Sequence, residues 1–244
     1  FLKAMSFWGN KKTMLDRVTK DGMSLRYVSN KLKNDKEVVL AAVAHDGRAL
    51  QFASDGLKKD KEFVLAAVKQ DVRALTYVSN ELNENDYKEV VMAAVSQDGF
   101  ALEYVSDKLN EDDYREVVLA AVAQNWRALL YVSDNYAELR KDKDIVLAAV
   151  ANDWRALLYA SEELKNDKDV AKAAVEQAAV KQDHLYALMY VSENLKQNDK
   201  DILLLCVAQD GRALQYASEE LKNNKEVVLA AVKQNVYALQ FASD

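Results

Sequence analysis

The chain has one cysteine and two histidines, the residue types best suited to nucleophilic and transition-metal chemistry. A cysteine hydrolase would pair Cys206 with His184 as its base. Cys206, however, takes the place that alanine holds in other copies of a repeated segment, so we expect a small buried residue rather than a reactive thiolate. His45 takes a place that glutamine holds elsewhere. Neither histidine has a third ligand type nearby, so no metal site is expected.

Paired carboxylates occur at Glu162-Glu163 and at Glu219-Glu220. Neighbouring residues on a helix point about 100° apart, so these pairs do not converge as a general acid and base would. The sequence also has no glycine-rich phosphate loop, zinc-protease motif or nucleophile elbow. We therefore predict no catalytic residue, no metal and no cofactor, and a protein that is not an enzyme.

The composition of the 244 residues restricts the fold and the class of ligand. Half of the residues are hydrophobic and 30% are charged, which is typical of a folded protein. Proline is absent and only 6 glycines occur, which disfavours folds built from many tight β-hairpins. The formal net charge of -6 argues against nucleic acid as the ligand. No apolar run reaches the length of about 18 residues that a membrane span needs.

The elements that carry these residues are copies of one segment. A serine after Val or Ala recurs nine times at intervals of 25 to 31 residues, with an aromatic residue two positions earlier and leucine two positions before that. The serines are Ser29, Ser54, Ser79, Ser106, Ser133, Ser161, Ser192, Ser218 and Ser243. An Ala-Ala-Val block, as at 41–43 and 66–68, precedes most of them. Tandem copies of this length indicate a repeat protein.

Each copy is predicted to form two short helices of about three turns. In the first full copy, Asn34 and Glu37 have the spacing of a capping box in front of an apolar segment. Asp46 has the place of a cap for a second helix, in which Ala49 and Leu50 begin a half-buried stripe. A hairpin of about 25 residues cannot bury its own apolar face, so the copies must stack. The predicted fold class is all-α, an α-solenoid of about eight stacked short helical hairpins.

Two regions are distinguished along the chain. Residues 1–12 lack the repeated signature and are predicted to cap the first repeat, whereas residues 13–244 are predicted to form a single array. Irregular segments at 134–141 and 173–180 interrupt this array. The chain has no initiator Met and stops within a repeat, so we expect it to be a segment of a longer protein.

The segment Asp60–Ser79 carries both repeated signatures, Ala-Ala-Val-x-Gln-Asp/Asn and Ala-Leu-x-aromatic-Ala/Val-Ser. Through these signatures the chain, over about residues 14–244, resembles the repeat family catalogued as domain of unknown function 4116. Members of that family occur in intracellular bacteria, including secreted effector proteins, and in protists. The resemblance implies an array module that is often joined to other domains. It implies no activity, because none is assigned to the family and no catalytic residue carries over.

Variable positions of the repeat are the candidates for a binding site. Three consecutive central copies place a large apolar residue near the start of the second helix and another four positions later, where the spacing predicts a shared helix face. These pairs, which we call the central stripe, are Trp126 with Leu130, Trp154 with Leu158, and Leu185 with Met189, and Arg127 and Arg155 adjoin the tryptophans. If the central stripe binds a partner, both tryptophans and their paired leucines should be accessible to solvent. The alternative is cover from within, by residues 134–141 or 173–180.

These observations predict a non-enzymatic protein-interaction scaffold, which the resemblance would make the repeat module of a bacterial effector or of a protist protein. The predicted partner is a protein, and the two arginines favour one that carries carboxylates. The predicted location is the cytoplasm, or the host cytosol for a secreted effector. The alternative function is a substrate-recognition array of an enzyme whose catalytic domain lies outside this segment. The sequence of the full-length gene distinguishes these two functions.

Overall fold

The computed structural model describes residues 10–181 and 190–243, apart from the side chain of Lys181, and these ranges contain helices and turns but no strand. Each repeat begins with a long α-helix. The described long helices are Lys11–Val18, Lys36–His45, Lys61–Gln70, Glu84–Gln97, Glu111–Gln124, Lys143–Asn152, Lys168–Lys181, Lys200–Gln209 and Lys225–Gln234. None of the helices within the described ranges is long and apolar enough to cross a bilayer. The predicted all-α repeat fold is confirmed.

A short 3₁₀ helix, rather than a three-turn α-helix, follows the long helix in the described repeats. These 3₁₀ helices are Gly22–Tyr27, Gly47–Phe52, Val72–Tyr77, Gly99–Tyr104, Trp126–Tyr131, Trp154–Tyr159, Gly211–Tyr216 and Val236–Phe241. Each is six residues long. The prediction of two α-helices of about three turns per repeat was therefore wrong for the second helix.

Hydrogen bonding and burial explain the tighter helix. The N–H of Ala49 donates to the C=O of Asp46, and the N–H of Ala53 donates to the C=O of Leu50, so both bonds join residues three apart. Three residues per turn place Gly47, Leu50 and Ala53 on one line, and all three are buried. Over so short a run the same apolar residues also fit an α-helical stripe.

Short connecting α-helices complete most repeats: Asn30–Lys33, Asp55–Lys58, Glu162–Lys165, Glu193–Asn198 and Glu219–Lys222. Two copies have no connecting helix before their long helix, which is instead extended to 14 residues, at Glu84–Gln97 and at Glu111–Gln124. The irregular segment at 134–141 is a 3₁₀ element, Asp134–Lys141, with a kink at Tyr136.

The cap of the first full repeat lies one residue later than predicted. Asp35, rather than Asn34, caps the helix Lys36–His45, because its Oδ1 accepts the N–H groups of Glu37 and Val38. Asn34 instead accepts the hydroxyl of Ser54 at 2.7 Å. Both residue types cap helices well, so their order along the chain did not identify the cap.

The chain divides into two compact units, residues 1–135 and residues 136–244. In the first unit the long helices pack side by side in chain order, and the 3₁₀ helices form a second layer against them. A typical long helix touches the 3₁₀ helices before and after it. The described helices of the second unit pack by the same rule. Val38, Val39, Ala42 and Val43 of one long helix are fully buried, and the small alanine lets neighbouring helices approach closely.

The first described helix begins at Lys11, within the segment 1–12 that was predicted to be a cap. Residues 1–9 of that segment lie outside the described residues. A single array over residues 13–244 stays a prediction.

Candidate partner-binding surface

The repeated serine joins one repeat to the next. The N–H of Ser54 donates to the C=O of Lys33, 2.9 Å away in the preceding connecting helix, and its hydroxyl donates to Oδ1 of Asn34. The same backbone bond to a preceding connecting helix is made by Ser79, Ser192, Ser218 and Ser243. Packing between repeats therefore accounts for the serine column.

The polar residue at the end of a long helix also joins repeats. The N–H of Gly99, at the start of a 3₁₀ helix, donates to Oε1 of Gln124 in the next long helix at 2.7 Å. In the first copy the acceptor is Nδ1 of His45, which lies 3.2 Å from the nitrogen of Gly22. His45 therefore replaces glutamine as an acceptor between repeats.

In most of the described repeats a lysine at or near the start of the long helix forms an ion pair with a carboxylate at the start of the following long helix. In the first unit Nζ of Lys11 lies 2.8 Å from a carboxylate oxygen of Asp35. In the second unit Nζ of Lys143 lies 2.9 Å from Asp167. We call this series the lysine ladder, and its other described members are Lys36, Lys61, Lys88, Lys168 and Lys200. The ladder lysines neutralise carboxylates that cap the next long helix or lie near its N-terminus.

The environment of Cys206 argues against a nucleophilic role. Its side chain is 1% exposed, and burial raises the pKa of the thiol to about 12, so the thiolate is scarce at neutral pH. His184, the predicted base, lies outside the described residues.

Within the ranges 10–181 and 190–243, no three His, Cys, Asp or Glu side chains are grouped as metal ligands would be. Glu162 and Glu219 each form an exposed ion pair with the lysine three residues later.

Within each unit, exposed and half-buried side chains form a ridge along the 3₁₀ helices. The second and fifth residues of each 3₁₀ helix are aligned by its three-residue period, and every described one is exposed or half-buried. The alignment is visible where Nε2 of Gln51 donates to the C=O of Arg48 at 3.0 Å. We call these two positions the outer ridge. Its pairs are Met23/Arg26, Arg48/Gln51, Arg73/Thr76, Phe100/Glu103 and Arg127/Leu130 in the first unit, and Arg155/Leu158, Arg212/Gln215 and Tyr237/Gln240 in the second.

Because a 3₁₀ helix has three residues per turn, the two residues of a central-stripe pair lie on different faces of the helix. Trp126 shares a line with buried Leu129, three residues later, whereas Leu130 shares the outer ridge with Arg127. Accordingly Trp126 is 6% exposed and Leu130 is 48% exposed. The expectation that Trp126 and Leu130 would share one face was wrong, because it assumed α-helical spacing.

The second unit shows the same division. Trp154 is 4% exposed, so the prediction of an accessible indole was also wrong here, and Leu158 is half-buried. The ring of Trp154 lies 6.1 Å from the ring of Tyr190. The backbone N–H of Trp154 donates to Oε1 of Gln177 at 2.9 Å. Gln177 belongs to the segment 173–180, but this bond is the same one that Gln124 makes to the backbone of Gly99, so cover of the indole by that segment stays a prediction. Leu185 and Met189 lie outside the described residues.

The two arginines of the central stripe have different surroundings. Arg155 donates from Nε and Nη2 to the carboxylate of Asp153, the cap of its own helix, at 2.8 and 2.5 Å. Arg127 instead follows an uncharged cap, Asn125, which accepts the backbone N–H of Arg127 and has no carboxylate for its guanidinium. Its guanidinium lies 4.7 Å over the ring of Trp126. An interaction with a partner carboxylate is therefore better supported for Arg127 than for Arg155.

Apolar residues collect beside Arg127 in the first unit. The ring of Phe100 meets the ring of Tyr131 edge to face, with 5.6 Å between centroids and 83° between planes. Leu130 and Tyr131 are exposed. An open groove of about 570 Å³ lies beside Phe100 and is lined mostly by polar side chains. We call Phe100, Arg127, Leu130 and Tyr131 the outer patch.

Two members of the outer patch, Phe100 and Tyr131, were missed from the sequence. Phe100 stands at a ridge position that arginine holds in most copies, and this departure is visible in the sequence. Tyr131 belongs to the repeated aromatic column, so it did not stand out among the variable positions that were the candidates for a binding site. Several members of that column are in fact exposed, among them Tyr27, Tyr159 and Tyr216.

Comparison with known families agrees with this repeat structure. The family model described as "Domain of unknown function (DUF4116)" matches residues 10–55, 35–83, 87–140, 114–165, 142–196 and 199–244. The chain therefore belongs to the DUF4116 family and consists of tandem copies of its repeat, which confirms the resemblance seen in the sequence. No curated protein and no solved structure matches the chain significantly.

Proposed function

We propose that this protein is a non-enzymatic scaffold that binds a protein segment along the outer ridge, with the outer patch as the main anchor. The observation that carries the proposal is the separation of two sets of side chains. Serines, glutamines and ladder lysines bond one repeat to the next, whereas the outer ridge differs in residue type from copy to copy. Repeat proteins commonly recognise partners through such extended variable surfaces.

The outer patch fits a protein segment that places an apolar residue next to an acidic one. Phe100, Leu130 and Tyr131 supply apolar contact area, and aromatic residues and arginine are enriched at interface hot spots. Arg127 supplies a guanidinium for a carboxylate. The net charge of -6 disfavours a polyanion such as nucleic acid as the partner.

Peptide selection tests this proposal without knowledge of the natural partner. Peptides selected from a displayed random library against the whole chain are measured by fluorescence anisotropy on wild type and on Leu130→Glu. Glu103 holds the equivalent ridge position one repeat earlier, so the fold accommodates a carboxylate there. We expect Leu130→Glu to weaken the selected peptides by roughly tenfold or more, because it removes the apolar anchor and repels acidic residues.

Thr76→Glu is the matched control, since Thr76 holds the same ridge position outside the outer patch. We expect it to leave the affinity within about twofold of wild type. Arg127→Gln should weaken acidic peptides more than neutral ones. Selected peptides that bind Leu130→Glu as tightly as wild type would contradict the assignment of the outer patch.

The same surface would serve a substrate-recognition array for a catalytic domain encoded outside these residues, and the sequence of the full-length gene decides between the two functions. The cytoplasm, or the host cytosol for a secreted effector, is the proposed location. The buried sole cysteine is compatible with a reducing compartment.

A further inference from the structure

Several described repeats share an ion pair between the cap of the 3₁₀ helix and an arginine two positions later. In one of them, Nε and Nη2 of Arg73 lie 2.9 and 2.7 Å from the two carboxylate oxygens of Asp71. A guanidinium fits a carboxylate in this way through two parallel hydrogen bonds. The same contact is made by Arg48 to Asp46, by Arg155 to Asp153 and by Arg212 to Asp210.

The repeat that contains the 3₁₀ helix Gly99–Tyr104 keeps the carboxylate but lacks the arginine. Its cap is Asp98, and Phe100 stands two positions later, where those four copies have arginine. Oδ1 of Asp98 accepts the backbone N–H of Phe100 at 3.0 Å, so the capping bond itself is kept. Among residues 10–181 and 190–243, no other group donates to this carboxylate and no cation pairs with it.

The first described repeat also has an aspartate cap without an arginine, but it satisfies that carboxylate differently. The cap is Asp21, and Met23 stands two positions later. Oδ2 of Asp21 accepts the hydroxyl of Ser24 at 2.7 Å. The residue equivalent to Ser24 in the later repeat is Ala101, which has no hydroxyl. Asp98 therefore lacks both kinds of partner that this carboxylate has in other copies.

Asp98 lines the open groove of about 570 Å³ that lies beside Phe100. The other charged residues of the lining, Asp71 and Arg73, form an ion pair with each other, so one negative charge remains. Phe100 and Tyr104 also line the groove, and a guanidinium stacks favourably on aromatic rings. One unpaired carboxylate beside two aromatic residues suits an arginine side chain better than an anion.

We propose that the groove at Asp98 binds an arginine side chain of the partner segment, in the place that the repeat's own arginine takes in other copies. This inference rests on the proposed function, because Phe100 belongs both to the groove and to the outer patch. Arg127 of the next repeat is the reciprocal case, since its cap Asn125 offers no carboxylate. The partner segment therefore carries an arginine for Asp98 as well as an acidic residue for Arg127.

A double-mutant cycle tests the arginine site with peptides selected from a displayed random library against the whole chain. We expect these peptides to be enriched in arginine at a fixed distance from their apolar residue. An arginine-bearing peptide and its analogue with glutamine in place of arginine are titrated by fluorescence anisotropy with wild type and with Asp98→Asn. The variant should weaken the arginine peptide roughly fivefold or more, because the charge-assisted bonds are lost, and leave the analogue within about twofold. Asn125 caps the equivalent helix of the next repeat, so Asp98→Asn should melt like wild type.

Asp46→Asn is the matched control, because it removes the same charge from the same place in a repeat where Arg48 already binds the carboxylate. It should leave the affinity of both peptides unchanged. A peptide with lysine in place of arginine should bind Asp98 less tightly than the arginine peptide, since an ammonium cannot form the two parallel bonds.

Leu130→Glu separates the arginine site from the outer patch. Peptides that are weakened by Leu130→Glu but bind Asp98→Asn as tightly as wild type would overturn the arginine site and leave the proposed function in place. Peptides that are weakened by Asp98→Asn alone would support the arginine site and contradict the outer patch. Selected peptides without enrichment of arginine, or peptides that neither variant weakens, would overturn the arginine site as well.

Discussion

A tyrosine hydroxyl replaces a backbone carbonyl where the connecting helix is missing. In most copies the N–H of the repeated serine donates to a connecting-helix carbonyl, as from Ser79 to Lys58 at 3.1 Å. No connecting helix follows Ser79, and the N–H of the next serine, Ser106, donates to the hydroxyl of Tyr87 at 2.8 Å. Tyr114 accepts the equivalent bond one repeat later. The extra tyrosine and the missing connecting helix are therefore parts of one structural change.

Tyr87→Phe should reduce the free energy of unfolding by about 1–2 kcal/mol, because it leaves the part-buried N–H of Ser106 without its acceptor. The buried ring would stay in place, so the change reports on the hydroxyl alone. Urea denaturation followed by circular dichroism measures the effect.

Tyr77→Phe is the control for that substitution. Tyr77 belongs to the aromatic column, in which Phe52 and Phe241 already occur. We expect a change below about 0.5 kcal/mol, typical of surface substitutions. Equal losses for both tyrosines would show that the Tyr87 hydroxyl has no special structural role.

At the scale of elements, close packing of a 3₁₀ helix against the next long helix depends on a small first residue. A Cβ added at Gly47 would lie 2.2 Å from the carbonyl oxygen of Ala67, far inside van der Waals contact. Gly22, Gly99 and Gly211 have similarly close approaches to a backbone oxygen. Copies that carry Val72 or Trp154 at this position must space their helices differently.

Gly47→Val should destabilise the protein by about 1–3 kcal/mol, because the added side chain forces two packed elements apart. Thermal melting followed by circular dichroism measures the change. The effect should be large even though valine occurs at the same position one repeat later.

Gly56→Ala provides the opposite case. Gly56 lies in the connecting helix Asp55–Lys58, where an added Cβ would have its nearest neighbours at 3.9 Å. We expect a gain of about 0.4–1 kcal/mol, since alanine restricts the unfolded chain without a clash. A neutral Gly47→Val would show that the spacing between repeats adjusts freely.

Element length explains how much the sequence could predict. The repeat signatures and the apolar bodies of the long helices span several turns, so they identified the repeats and their helical class. A six-residue helix gives less than two α-helical turns, and its apolar residues satisfy periods of 3 and 3.6 alike. The expectation that Leu130 is accessible to solvent was therefore correct, whereas the same expectation for Trp126 was wrong.

Over the whole molecule, charge pairs make stability depend on pH. Hydrogen bonding from Lys11 lowers the pKa of Asp35, and hydrogen bonding from Arg73 lowers the pKa of Asp71. Hydrogen bonding to Asp113 raises the pKa of Lys88, and bonding to Asp169 raises that of Lys143. Such pairs occur in both units, so their titration acts on the molecule as a whole.

The signs of these shifts fix the pH window of greatest stability. A carboxylate with a lowered pKa stabilises the fold above its unfolded pKa of about 4, and this is lost as pH falls through the folded pKa. A lysine with a raised pKa stabilises the fold below about 10.5, and this is lost as pH rises through the folded pKa. The free energy of unfolding should be flat from about pH 5 to 9 and fall on both sides.

A variant with Asp35→Asn, Asp46→Asn and Asp71→Asn separates the charge from the capping bond. Asparagine caps the equivalent helices of other copies, at Asn224, Asn125 and Asn235, so the backbone bonds should survive. The variant should be modestly less stable than wild type at pH 7, because exposed ion pairs contribute little. Its stability should converge with that of wild type as the pH falls below the lowered folded-state pKa values of these three carboxylates, where the wild-type groups become protonated. Urea denaturation across this range, with the exposed Asp55→Asn as control, checks the convergence. If the free energy of unfolding of the variant stayed below that of wild type by the same amount at every pH, the asparagines would weaken the caps themselves. The ion pairs would then not be the source of the acid sensitivity.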